Sequence, residues 1–372
     1  MSAEQMDIQI IAALTAAACA IPGVFLVLRR MAMMSDAISH SILLGIVLAF
    51  FAAGSVSSPL LIVGAALSGV LTVSLVEVLA KTGLVKEDAA IGLVFPLLFS
   101  VGVILIARYT WSIHLDVDAV LLGELAFAPF NRLIVGGVDI GPRSMYVMGT
   151  ILALNLAFIL LMYKELKLAT FDAGLAAALG FAPGLIHYLL MGLVSVTAVG
   201  AFDAVGSILV VALMIAPPAA AYLLTDRLSR MLGLSVLIGV VSAIAGFWFA
   251  MLIDASIAGS MASAAGALFL LVFLFAPERG LIAVYSRKSY QKRDFAGRML
   301  VIHLLNHEGT PEEERESEIS HLEESLGWKG DFARSAVVYS VKKGLVTDSG
   351  GRLSLTEKGR EFAGRSLTEF TA

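Results

Sequence analysis

The chain has 372 residues, 58% hydrophobic and 15% charged, with a formal net charge of −4 and a mean hydropathy of +0.88. Soluble domains carry about 25% charged and 45–50% apolar residues, so this composition excludes an ordinary soluble protein and predicts a multi-spanning membrane protein. Only 10 prolines and a sole cysteine, Cys19, exclude collagen-like and disulfide-stapled chains.

The charges are unevenly distributed. Residues 1–296 hold 33 charged residues, about 11%, whereas residues 297–372 hold 23 in 76, about 30%. The first part, with net charge −1, reads as lipid-embedded, and the second, with −3, as a small soluble domain. Neither is a basic nucleic-acid surface. A span needs about 20 apolar residues. In chain order the candidates are 8–28, 33–53, 59–80, 89–107, 145–163, 185–201, 206–224, 231–252 and 261–277. Residues 203–206 read as a loop or as a break within a helix, so eight or nine spans are expected, in an all-α polytopic membrane protein.

The residues leading the first span include Glu4 and Asp7 and no Lys or Arg, which argues against a cleaved signal. With nine alternating spans, Arg29, Arg30, Lys81, Lys86, Lys164, Lys167, Arg227, Arg230, Arg279, Arg287, Lys288, Lys292 and Arg293 all fall on one side. The positive-inside rule makes that side cytoplasmic and puts the tail there. The longest connection, 108–144, carries Arg108, Arg132, Arg143, Asp116, Asp118, Glu124 and Asp139. Its apolar middle, 117–130, reads either as a short helix dipping into the outer leaflet or as a surface loop.

Function hinges on polar groups in costly places, since a carboxylate at bilayer depth costs a few kcal/mol and normally turns toward protein or water. In the second span Asp36 and His40 lie four residues apart, hence on one helix face. A carboxylate oxygen and an imidazole nitrogen make half of a first-row divalent metal site. The competing reading is interhelical hydrogen bonding, with Ser35, Ser39 and Ser41 as polar packing residues. Asp203, near the outer face, reads as a loop residue in preference to a pathway acid. Glu77 precedes Lys81 by four residues, an ordinary helix ion pair, and His187 reads as interfacial. No Gly-Lys dipeptide occurs, so the chain has no phosphate-cradling P-loop, and any ATP-driven step belongs to another polypeptide.

Five stretches together resemble the membrane permease subunits of ABC-type manganese, zinc and iron importers: Arg30 to Gly45, Lys86 to Phe95, His114 to Leu125, Phe202 to Leu228 and Leu268 to Leu281. The resemblance extends over residues 1–290 and implies a permease domain in a bacterial cytoplasmic (inner) membrane, not itself an enzyme. It implies a second permease copy or paralogue, cytoplasmic ATPase subunits and an external metal-binding protein. The cargo would be manganese, zinc or iron, with no permanently bound cofactor. It associates Asp36 and His40 with the metal path and carries no ligand role to Asp203. Two positions depart from the family pattern: Ser35, where Gly is frequent, and Leu44, where Pro is frequent and would kink the helix. Residues 164–184 resemble the family's ATPase-coupling region. Within it, residues 172–180 have an Asp start, an Ala/Leu body including Leu175, Ala176 and Leu179, and a Gly stop at Gly180.

Residues 297–372 read as three helices, a two-stranded wing turning at Ser349 to Gly351, and a final helix. That order resembles a winged helix, specifically the DNA-binding half of metal-dependent repressors, making an α+β cytoplasmic domain. Its recognition-type helix would run from Asp331 to Lys343, with Arg334, Lys342 and Lys343 available for phosphates. The net charge of −3 and the run Glu312 to Glu314 weigh against DNA and favour a regulatory or docking module. His303, His307 and His321 with nearby Glu residues could bind a regulatory metal, although scattered surface histidines read better. Two other functions fit the residues: a proton-coupled secondary cation carrier using Asp36, and a membrane-anchored metal-responsive regulator.

Overall fold

The computed structural model describes residues 2–54, 58, 60–109, 125–135 and 138–371, which divide into two compact units, residues 1–279 and 280–372. The break lies upstream of the change in composition at residue 296, because one continuous helix carries the chain from Leu281 to His307.

Among the described residues the first unit has nine helices long and apolar enough to cross a membrane. They are α1 Ala3–Leu28, α2 Ala32–Ala53, α3 Leu60–Lys81, α4 Glu87–Tyr109, α5 Arg143–Leu161, α8 Pro183–Val205, α9 Ser207–Leu224, α10 Leu228–Ile253 and α11 Ile257–Phe275. Two short helices, α6 Tyr163–Phe171 and α7 Ala173–Ala178, lie between α5 and α8. Between α4 and α5, residues 110–124 lie outside the described residues, and with them most of the expected short helix. Its described remainder, Leu125–Phe130, is a 3-10 helix, followed by an antiparallel hairpin of β1 Arg132–Val135 and β2 Val138–Pro142. The hairpin was not expected from the sequence.

Helix α1 is the scaffold. A capping box starts it: Gln5 N–H donates to Ser2 Oγ at 3.2 Å and Ser2 N–H to Gln5 Oε1 at 3.0 Å. From Thr15 to Leu26 all twelve residues are buried, and the helix packs on α5, α8, α9 and α10. Pro22 sits inside it and has no N–H, which frees the carbonyl of Ala18 four residues earlier. The buried Asn155 of α5 fills that vacancy, donating Nδ2–H to Ala18 O at 2.8 Å and to Thr197 Oγ1 of α8 at 3.0 Å. One amide thus joins three spans. A second proline-freed carbonyl, Met214 O before Pro218 in α9, faces Gly23, where a Cβ would stand 2.1 Å from it.

Helices α2 and α3 meet along small residues. Ser68 Oγ donates to Ser41 O at 2.7 Å and Thr72 Oγ1 to Ser41 Oγ at 2.6 Å. Gly45 and Gly64 face each other so closely that a Cβ on Gly45 would stand 2.1 Å from Gly64 O. Small residues four apart let helix backbones touch where lipid supplies no hydrophobic drive. With Leu44 in place of proline, α2 runs unbroken over its 22 residues.

The second unit comprises α12 Leu281–His307, α13 Glu313–Glu316, α14 Leu322–Leu326, α15 Gly330–Lys342, the antiparallel strands β3 Val346–Ser349 and β4 Arg352–Leu355, and α16 Glu357–Thr371. Leu300, Leu304, Leu322, Val337, Leu345 and Leu353 form its core. Leu353 N–H donates to Ser317 O and Ile319 N–H to Gly351 O, adding residues 317–319 to the hairpin's edge. Lys343, expected to be free for phosphates, is engaged instead: its Nζ donates to Asp294 Oδ1 at 2.7 Å. Burial opposes ionisation of Asp294, yet hydrogen bonds from Lys343, Tyr339 and Arg298 outweigh it and hold the carboxyl below its usual range.

Two outcomes are expected. Asn155→Leu strands the Ala18 carbonyl and should destabilise the detergent-purified chain by about 1–3 kcal/mol, read as a lower melting temperature. A carboxyl whose pKa is depressed by folding stabilises above its unfolded pKa and loses that contribution as pH falls through the folded one. Asp294→Asn should therefore raise amide exchange in α15 at neutral pH, by about 1 kcal/mol after discounting for partial exposure. The difference from wild type should vanish in acid below the carboxylate range.

Candidate functional site

Helix α2 has two polar faces. Ser35, Ser39 and Ser41 are buried and bond back to their own helix, to Ala32 O at 3.0 Å, Ser35 O at 2.8 Å and Ile38 O at 3.1 Å. Ser41 also reaches a neighbour, through α3. Asp36 and His40 occupy a different face, with His40 Nε2 3.5 Å from Asp36 Oδ1 and side chains 38% and 35% exposed. The spacing predicted this pairing. His40 is braced from α4 by Phe95 and Phe99, at ring separations of 5.7 and 6.1 Å. Met33, Leu48 and Phe51 lie exposed along the same helix. The pair offers one oxygen and one nitrogen donor to an ion. Among the described residues no third His, Cys, Asp or Glu completes a cluster with them.

Near the foot of α2 lies a network that sequence reasoning resolved only in part. The expected Glu77 to Lys81 pair is present at 2.9 Å. Glu77 also stands 2.6 Å from His187 Nε2 and accepts from Tyr188 Oη at 3.0 Å. Arg29 Nη1 lies 3.1 Å from His187 Nδ1, and its Nε donates to Thr170 Oγ1 at 3.2 Å. His187 is therefore a bridging residue and not merely interfacial. Arg29 and Glu77 are each over a hundred residues from His187, so no local spacing signals the contact.

The same end carries the segment resembling a coupling region. Asp172 caps α7, its Oδ1 accepting from Leu175 N–H at 2.8 Å. Gly180 then ends the turn at φ 86°, a conformation glycine adopts without strain. Ala176 is buried, whereas Leu175, Leu179 and Phe171 are exposed. Asp203 corrects an expectation: it lies exposed within α8 and not in a loop. The helix continues past it to Val205, and the break falls at Gly206, φ 85° and ψ 163°. A cleft of about 420 Å³ opens at that break, between residues 205–209 and 254–259. Asp254 is its only titratable residue among those described, so it lacks a donor set for a metal. Asp116, Asp118 and Glu124 lie outside the described residues.

Residues 3–276 match the model of the ABC 3 transport family. The zinc transport system membrane protein TroD of Treponema pallidum is 47% identical over 96% of this chain and 97% of its own length. The manganese transport system membrane protein MntD of Bacillus subtilis is 49% identical over 76% of this chain and 96% of its own. Among solved structures, PsaBC from Streptococcus pneumoniae in complex with Fab aligns with a TM-score of 0.62 and 28% identity, covering 75% of this chain and 94% of that one.

Proposed function

Because the chain belongs to the ABC 3 transport family, we propose that it is the membrane-spanning permease subunit of an ATP-driven importer of divalent metal cations, zinc, manganese or iron. The single observation that carries the reading to residues is the Asp36 and His40 pair, half exposed on a span of the family-matched unit. Facing lipid, these groups would cost a few kcal/mol, so their face meets protein or water. A second permease copy or paralogue covering that face supplies the remaining donors.

The metal is cargo. It arrives from an external binding protein, and on the pathway the Asp36 carboxylate offsets part of the charge it brings into low dielectric while His40 adds a nitrogen. Among the described residues the shell is incomplete, which suits transport, because a site must bind well enough to admit the ion and weakly enough to release it. ATP hydrolysis belongs to cytoplasmic partner subunits, which dock on α7. Leu175 and Leu179 fill the partner's groove, and Asp172, Ala176 and Gly180 hold the turn's shape. Basic residues at the connections after the odd-numbered spans support a cytoplasmic face at this end, in the inner membrane of a bacterium. The first unit, residues 1–279, then forms the permease domain, in place of the expected 1–290. The second unit, residues 280–372 and not only 297–372, is a cytoplasmic winged-helix-like domain that regulates or docks in preference to binding DNA, since Asp294 holds Lys343.

Reconstitution of the chain in proteoliposomes with its ATPase and external binding protein tests this. Asp36→Ala and His40→Ala should each lower uptake of labelled zinc and manganese about ten-fold or more, the scale of a lost ligand shell contribution. Leu175→Ala with Leu179→Ala should depress uptake and metal-stimulated ATP hydrolysis together. Wild-type transport by both Asp36→Ala and His40→Ala, for every metal, would remove the pair from the path. Uptake by the chain without any ATPase would replace the reading with a secondary carrier.

A further inference from the structure

Unit 2 holds a second donor cluster, independent of the transport reading. His303 and His307, four residues apart on α12, share one helix face, with ring centroids 4.8 Å apart. The end of α13 brings Glu316 against them. Its Oε2 lies 3.2 Å from His303 Nε2, and its Oε1 lies 3.2 Å from His321 Nε2. One donor atom each from His303, His307 and Glu316 all stand within 4.8 Å of one another. Glu316 is further oriented by Ser325, whose Oγ–H donates to Oε2 at 2.7 Å. His303, His321 and Glu316 are only 10%, 14% and 15% exposed, so the cluster is shielded and not a set of scattered surface histidines.

We propose that His303, His307 and Glu316 form a site for a divalent first-row cation of the zinc, manganese and iron class, with His321 holding the second carboxylate oxygen. Imidazole nitrogens with one carboxylate oxygen are a donor set that zinc takes in four-coordinate sites and that iron(II) takes with further positions left open. Two donors each about 2.1 Å from an ion at the tetrahedral angle stand about 3.4 Å apart, so binding draws a cluster that spans 4.8 Å together by about 1.4 Å. Ser325 supplies the outer contact that fixes the carboxylate. The ion would tie α12 to the segment 313–321, whose end pairs with the hairpin. Metal occupancy is thereby coupled to the order of the unit.

The test uses the full-length chain in detergent carrying Asp36→Ala and His40→Ala, so that the pair on α2 contributes no ligation. Cobalt(II) alone is titrated, followed by zinc(II) as competitor. One equivalent of cobalt is expected, with the intense visible bands of a low-coordinate site, displaced by zinc. Adding Glu316→Gln or His307→Gln should weaken binding by more than the roughly 10–100-fold that loss of an outer contact costs. His307 is the more exposed histidine, and its replacement leaves the core intact, so this variant reads ligation even if His303→Ala fails to fold. Absence of cobalt binding, or binding equally tight in the Glu316→Gln and His307→Gln chains, would overturn the site and leave an ion-pair cluster. Neither result depends on uptake.

Discussion

Within hydrocarbon no water completes an unpaired backbone group, and every interruption of a spanning helix must be answered from inside the protein. The contact between Asn155 and the carbonyl that Pro22 frees is this chain's principal answer. It lies in the stretch of α1 that is buried without a gap, and it holds α5 and α8 to that stretch. The proline-freed carbonyl of α9 is met differently, by a glycine that admits close backbone approach. With α1 held this way, the neighbouring spans pack through small residues and hydroxyls that bond to their own helices. The remaining polar side chains, Asp36 and His40 foremost, stand out because nothing in the packing requires them.

On the proposed reading, the Asp36 and His40 pair is half a site. Its two donors, its exposure and the phenylalanines behind His40 define one wall and no other. A closed four-ligand cage inside a single chain would bind an ion and keep it. On the proposed reading, a wall completed by a second permease copy would open and close as the subunits move, and affinity would become a property of the assembly. Asp36 and His40 belong to one helix uninterrupted over 22 residues, which keeps the two donors in register.

Much of this was legible in sequence because lipid imposes length and polarity directly. Eight or nine spans are expected and nine are found among the described residues, with bounds within five residues, and the i, i+4 spacing places Asp36 beside His40. Errors arose where charge was read as a sign of water. Asp203 was assigned to a loop, yet an exposed position near a helix end accommodates a carboxylate without breaking the helix. The pairing of 132–135 with 138–142 goes unseen because neither strand exceeds five residues. Lys343 reads as available for phosphates because Asp294, 49 residues away, leaves no local trace. The same holds for His187 and Glu77, and for the third donor Glu316, which only the fold brings to His303 and His307.

The Arg29 contacts carry a mechanical consequence. Thr170, two residues before the Asp172 cap, and His187, at the start of α8, are both tied to Arg29, which precedes Asp36 by seven residues. Glu77 fastens the same knot to α3. On the proposed docking reading, a push on the exposed leucines of α7 has a route of direct side-chain contacts to the foot of α2, through Thr170, His187 and Arg29.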